Sequence, residues 1–333
     1  MKETAAIGLM SGSSLDGLDI ALVRFQEKED KYQFQILQAE TLPYPEYWTE
    51  QLSGAFHKQP EDLVQLDKDY GKYLGEQVLA FAKKHNTSPD FVASHGHTIF
   101  HRPEEHYTLQ IGDGQELAKA CGFTVVNDFR SEDVSKGGQG APLVPIGDKL
   151  LFGDYEICLN IGGIANQALN YLAQMKGLPY DRDGEMARSG EVDITLLKQL
   201  NRHPFYGLYP PKSLGREFFE ANQKELLQVL SVPDLLATFV EHIALQIALG
   251  VSHLPKGKIL VTGGGARNKF LMERLQARSS HEVVIPDKMI IDYKEALVFA
   301  FLGLLRMEGK TNVLASVTGA ESDSCSGQIW QPC

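Results

Sequence analysis

Residues 10–22 read MSGSSLDGLDIAL and follow the apolar run AAIGL at 5–9. Two glycines, three serines and two aspartates stand between segments that otherwise have the composition of buried strand. After the turn, Leu18, Ile20 and Leu22 fall on one face and Ala21, Val23 and Phe25 on the other, so Ala5–Phe25 predicts a hairpin covered on both sides. A turn holding Gly12, Ser13, Ser14 and Gly17 lets backbone N–H groups and hydroxyls converge on an anion, because glycine permits close approach and positive φ. Asp16 and Asp19 could hold Mg²⁺ through water. The same composition also suits a plain hairpin loop, and on this stretch alone both readings stay open. It is not a Walker A loop, since it lacks the glycine-lysine ending.

Outward from this hairpin the pattern is α/β. LVQLDKDYGKYLGEQVLAFAKKHN has helical spacing and DFVASHG reads as a strand ending on glycine; TLQIGDGQELAKACG, FTVVNDFR and YEICLNIGGIAN repeat the strand-then-turn grammar. GLPYDRDGEMARSGEVD through HPFYGLYPPKSLGREFFEANQ is rich in glycine, proline and tyrosine and predicts short helices at most. LLATFVEHIALQIALGVSHL places Leu236, Ile243, Ile247 and Val251 on one stripe of a long helix. KILVTGGGARN, EVVIPD and KEALVFAFLGLLRMEG then give strand, strand and apolar helix, so the chain divides near residue 150 into lobes 1–150 and 151–333.

The 333 residues are ample for two cores, and the formal net charge of −11 argues against nucleic-acid or anionic-membrane partners. No stretch is read as a membrane span or secretory leader. Cys121, Cys158, Cys325 and Cys333 have neither disulfide-framework nor zinc spacing, which points to a reducing cytoplasm.

Two further glycine turns follow strands: Gly162-Gly163, and Gly263-Gly264-Gly265 with Asn268 at the next helix start. Open α/β sheets bind ligands at the carboxyl ends of strands. Between them, His95, His97 and His101 lack a metal-binding helical spacing and instead suggest a polar wall for a sugar. Asp128 and Arg130 offer planar donors and acceptors for carbohydrate or carboxylate, or a surface salt pair. Glu295 is either a helix-start acid or a ligand group.

This order of turns resembles the sugar-kinase, actin and heat-shock-chaperone ATPase superfamily. MSGSSLDGLD, SHGHTIFH, LQIGDG, DFRSEDV, GGQGAPLVPIGD, LNIGGIAN, GLPYDRDGEMARSG, PPKSLGREFF and VTGGGARN together resemble the 1,6-anhydro-N-acetylmuramic acid kinase family over nearly the whole chain. The resemblance implies two actin-like ATPase (ribonuclease H-like) lobes around a nucleotide cleft, with ATP and Mg²⁺ and, as oligomeric state, a homodimer. It implies that Gly12, Ser13, Ser14, Leu15, Asp16, Gly17, Leu18 and Asp19 take the phosphates and metal, that Gly263 to Gly265 lie at the nucleotide, and that Arg130 and Glu295 face the anhydrosugar. The family has threonine where Ser13 stands and commonly glutamine where His97 stands.

One departure bears on chemistry. The family follows IGGIAN with another strand and a DTGPGN motif whose aspartate is taken as the catalytic base. Here Asn166 runs directly into QALNYLAQMKGLPYD, so that motif and its acid are missing. Because the flanking segments stay in register, a loop left out of the sequence as read is favoured over a true loss.

Overall fold

The computed structural model describes residues 3–12, 15, 17–29, 31–208 and 230–332. The chain forms two compact units, Met1–Gly153 with Tyr293–Cys333, and Asp154–Asp292. Elements are numbered along the chain.

In unit 1, β1 (Glu3–Ser11) and β2 (Leu18–Lys28) pair antiparallel, with Ile7 opposite Leu22 and Ser11 opposite Leu18. Ile7, Leu9, Ile20 and Val23 are buried, as the two-sided apolar pattern requires. β3 (Lys31–Leu42) extends this to a three-stranded meander with a bulge at Leu22/Val23. α1 (Glu46–Gly54) and α2 (Pro60–Lys84) lead to β4 (Phe91–Ser94), parallel to β1. α2 starts on Pro60 with Glu61 and Asp62 in its first turn and ends on Lys83 and Lys84, matching the helix dipole at both ends. Its buried stripe, Leu63, Leu66, Tyr70, Leu74, Val78 and Phe81, covers one face of the sheet. A separate hairpin, β5 (His97–Arg102) and β6 (Tyr107–Ile111), precedes α3 (Gly114–Cys121) and β7 (Val125–Asn127), which is parallel to β4. α4 (Ser131–Ser135) and α5 (Val144–Leu151) end this part.

Unit 2 opens with β8 (Ile157–Asn160) and passes at once into α6 (Gly163–Gln174). The glycine- and proline-rich stretch folds into short helices as expected, among them α7 (Glu185–Ser189) and α8 (Ile194–Asn201), while PPKSLGREFF lies outside the described residues. α9 (Val232–Val251) follows, capped by Ser231. It is long and apolar enough to cross a membrane, which corrects the reading that no segment is; its Leu235, Leu236, Phe239 and Val240 belong to the buried core of unit 2. β9 (Lys258–Thr262), α10 (Lys269–Arg278) and β10 (Glu282–Val284) complete an all-parallel sheet ordered β10-β9-β8.

The remainder returns to unit 1. α11 (Lys288–Met307) crosses the unit boundary and α12 (Ala315–Thr318) leads to β11 (Gln328–Trp330), antiparallel to β7. The unit 1 sheet is therefore β11-β7-β4-β1-β2-β3. A division at residue 150 places 293–333 in the second lobe; packing places it in the first. A Cβ on Gly8 of β1 would strike the Ala296 carbonyl, and one on Gly303 would lie 2.7 Å from both Ala93 Cβ and Phe91 Cε2. Two glycines thus let α11 lie against β1 and β4.

The two sheets share a plan. β8, β9 and β10 pair in the parallel order of β1, β4 and β7. Unit 1 adds the antiparallel β2 and β3 beside β1; among the described residues nothing pairs with the outer edge of β8. Ile157 and Leu159 are accordingly half-buried, where Ile7 and Leu9 are enclosed.

Candidate active site

Unit 1 gathers most of the sugar-side candidates. β4 ends at Ser94, and the chain turns through His95 and Gly96 into β5 at His97. Gly96 adopts φ +72° with Ile111 O close behind it, so only glycine fits this turn comfortably. The turn sends the two histidines to different partners. His95 donates from Nδ1 to Gly96 O at 2.9 Å, leaving Nε2 as an acceptor for Arg130 Nε at 3.1 Å and Nη2 at 2.8 Å. Burial and the adjacent guanidinium push His95 down to about 3, so it is neutral at pH 7. Its ring packs against Phe299 of α11 with centroids 4.7 Å apart.

His97 Nδ1 meets Ser11 Oγ at 2.8 Å, and Tyr44 donates to the same hydroxyl at 2.7 Å while pairing with Tyr70 at 2.7 Å. Burial lowers His97 to about 4 and raises Tyr70. This buried chain runs from the end of β1 to α2, and Tyr44 and Tyr70 have no motif that singles them out in the sequence. His101 places its Nδ1 3.2 Å from Thr108 Oγ1, and burial, with the Arg130 charge adding to it, lowers its pKa.

Asp128 and Arg130 do not pair. Asp128, at φ 56°, accepts from Ser131 Oγ at 2.5 Å and N at 3.3 Å at the start of α4, and from Gln328 Nε2 at 3.0 Å. Arg130 turns toward His95 and donates from Nη1 to Gly140 O at 2.9 Å. The surface salt pair is excluded. Burial lowers the Arg130 pKa and Glu295 opposes that shift, which places the Glu295 carboxylate within electrostatic reach of the guanidinium. Glu295 lies well inside α11, which begins at Lys288, so the helix-start role is excluded as well. His95, Arg130 and Glu295 therefore form one group. Asp133, inside DFRSEDV but not singled out there as a site residue, is fully buried and accepts from Gly140 N and the Thr318 hydroxyl, both at 2.7 Å, fixing the GGQGAP loop that carries the Arg130 acceptor.

Of the opening turn, Ser13, Ser14 and Asp16 lie outside the described residues. Leu15 has φ 57°, and its N–H donates to Gly12 O at 3.3 Å. Leu18 is buried, and Gly17 backs onto Leu42. Asp19 Oδ1 accepts from Thr41 Oγ1 at 2.5 Å. No cluster of three or more metal-ligating side chains occurs among the described residues.

In unit 2 the structure brings the other two glycine turns side by side. Ile161 donates to Thr262 O, and its own carbonyl accepts from Gly265 N, each at 2.9 Å. Gly162 and Gly163 thus begin α6 next to Gly263, Gly264 and Gly265, at the carboxyl ends of adjacent parallel strands β8 and β9. A Cβ on Gly265 would collide with Ile161, and Gly263 takes φ +80° against Asn160 Oδ1, so both turns need glycine to lie this close. Asn268 caps α10 by accepting from Leu271 N at 3.0 Å.

The antiparallel meander beside parallel strands, with glycine turns where strands end, defines an α/β fold of the ribonuclease H-like kind in unit 1, repeated without its meander among the described residues of unit 2. The anhydro-N-acetylmuramic acid kinase family profile matches residues 4–171 and 168–332. The chain belongs to that family. Its relatives include the anhydro-N-acetylmuramic acid kinases of Vibrio cholerae, 35% identical over 366 positions with 98% of each chain covered, and of Pasteurella multocida, 35% identical over 373 positions with 99% and 98% covered. Among solved structures it is similar to the activator of the 2-hydroxyisocaproyl-CoA dehydratase from Clostridium difficile, at 12% identity and TM-score 0.45 over 91% of this chain and 97% of that one.

The comparisons also bear on the missing motif. The family match breaks at 168–171, inside α6. An alignment of 366 positions exceeds the 333 residues of the chain, so more than thirty positions of the relative face no residue here. The stretch from Gly12 to Leu42, which makes the unit 1 meander, is of similar length. Site of the break, size and topology agree: among the described residues, unit 2 lacks the counterpart of β2 and β3.

Proposed function

We propose that this protein is an ATP-dependent kinase of 1,6-anhydro-N-acetylmuramic acid that opens the anhydro ring with water and phosphorylates O6, giving N-acetylmuramic acid 6-phosphate in murein recycling. The observation that carries this is similarity at 35% identity along 98% of the chain to curated relatives bearing that name. The reaction balances simply. Water adds to the anomeric carbon and gives up a proton, the bridging oxygen leaves with its bonding pair, and that oxygen takes the γ-phosphoryl group as ADP departs.

The residues divide this work. Arg130, His97, Asp128 and Glu295 offer the sugar donors and acceptors, with His95 behind the Arg130 guanidinium and Glu295 within its electrostatic reach. The glycines at 162–163 and 263–265, adjacent and without side chains, bring backbone donors close enough to follow a nucleotide. The turn at 12–19 supplies the terminal phosphates with amides, and Asp16 and Asp19 would hold Mg²⁺ through water. Asp19 fits that task, since one carboxylate oxygen is steadied by Thr41 and a hydrated ion asks for few protein ligands. When bound, the metal neutralises phosphate charge. Positioning of this kind accounts for most of phosphoryl-transfer catalysis.

The acid expected as base has no counterpart after Asn166. A positioned base contributes about 10²–10⁴-fold, so protein made from these 333 residues alone is expected to turn over more slowly than the Vibrio cholerae relative by about that factor. The test is ADP release from Mg-ATP with and without the anhydrosugar, both proteins side by side. Sugar-dependent release supports the reading; binding of both ligands with no release refutes it and leaves a sugar- and nucleotide-binding protein.

A further inference from the structure

Arg130 is held in an unusual way for a half-buried cation. Among the described residues no ion pair joins it to a carboxylate, although Glu295 acts on it electrostatically; its fixed contacts are the neutral Nε2 of His95, approached by both Nε and Nη2, and the Gly140 carbonyl. Guanidinium has five N–H groups. These three bonds leave two, one on each terminal nitrogen. A carboxylate in place of the imidazole would hold the guanidinium as tightly but would cancel its charge.

His95 can play this part only as one tautomer. Its Nδ1–H is committed to Gly96 O, so the lone pair on Nε2 faces the arginine. The ring is 5% exposed and backed by Phe299, which fixes its plane. The residues that impose this are local: the left-handed Gly96 sets the carbonyl, and the buried Asp133 holds the loop carrying Gly140 O.

We infer that His95 is a positioning residue for the sugar site: locked as the Nδ1–H tautomer, it aims Arg130 and keeps its two remaining N–H groups and its charge available to ligand oxygens. This rests on the sugar-kinase reading above. It goes beyond that reading by separating the residue that touches the sugar, Arg130, from the one that orients it.

The test compares His95→Phe, which keeps an aromatic ring against Phe299 but has no acceptor, with His95→Gln, whose amide oxygen restores one. Calorimetric titration of 1,6-anhydro-N-acetylmuramic acid into each protein, with no nucleotide, gives the sugar affinity; Mg-ATP titration and urea unfolding provide controls. The expected result is sugar binding weakened at least tenfold in His95→Phe and restored to within about threefold in His95→Gln, with Mg-ATP affinity unchanged in both. Wild-type affinity in folded His95→Phe, or equal losses for sugar and nucleotide, would overturn the inference while leaving the sugar-kinase reading intact. If wild-type protein fails to bind the sugar at all, the reading falls and the inference with it.

Discussion

Replacing Gly8 by alanine tests how α11 is seated. The added methyl would sit on the Ala296 carbonyl oxygen, 2.8 Å from its carbon and 3.1 Å from Ala300 Cβ. The obstruction is helix backbone, which cannot rotate away like a side chain, so β1 and α11 must separate. Overpacking of this kind costs about 1–3 kcal/mol, and a rigid obstacle puts Gly8→Ala at about 3 kcal/mol. Both tryptophans of the chain, Trp48 and Trp330, lie in unit 1, so their fluorescence during urea unfolding follows that unit. With a slope of about 1–3 kcal/mol per molar urea, the midpoint should fall by about 1–3 M. Glu295 precedes Ala296, and a displacement of about 1 Å at a positioning group costs about 10²-fold in turnover. Gly54→Ala is the control: no atom lies within 4 Å of its Cβ and its backbone is helical, so it should leave unit 1 unchanged or slightly more stable. If Gly8→Ala unfolds at the same urea concentration as Gly54→Ala and turns over normally, the close seating of α11 on β1 is refuted.

Two further expectations follow from the site. His97 is held near pKa 4, below the unfolded value of about 6.5, so the native state binds fewer protons than the unfolded one and stability present above about pH 6.5 is lost as pH falls toward 4. His97→Gln keeps a partner for Ser11 without that titration, and the unit 1 urea midpoint should fall less steeply over this window than in wild type; parallel curves would count against it, with His95 contributing further loss toward pH 3 in both. Asp19→Asn keeps an oxygen for Thr41 but removes the charge proposed for Mg²⁺, so the Mg²⁺ concentration for half-maximal turnover should rise about 10-fold or more, with anhydrosugar affinity unchanged. An unaltered Mg²⁺ requirement would remove Asp19 from the metal site.

What the sequence makes legible is what local chemistry enforces. The β1–β2 hairpin shows because both faces are apolar, and the two later glycine turns show because each follows a strand run. That they lie side by side depends on Ile161 bridging Thr262 and Gly265, pairing between strands about a hundred residues apart that leaves no local trace. β3 is missed because KYQFQILQAETL sits at a sheet edge, where alternate residues meet solvent and no continuous apolar run is required. The partners of Arg130 are likewise invisible: DFRSEDV places Asp128 two residues away, and the fold turns that carboxylate to Ser131 and the guanidinium to His95. Asp133 and Tyr70 have no pattern to betray them, since a buried polar residue is identified by its partners and those are distant in the chain.

The return of residues 293–333 to unit 1 has a consequence for the nascent chain. Unit 2 is continuous, so all of Asp154–Asp292 has been translated before most of the helix that covers β1, and before the strand that pairs with β7. During that interval the apolar residues that α11 will cover and the open side of β7 are exposed, the kind of surface that recruits chaperones and promotes misassembly. A ribosome that stalls, or a stop codon introduced, soon after codon 292 would therefore deprive the first-made unit of its final layer while leaving the later-made unit whole.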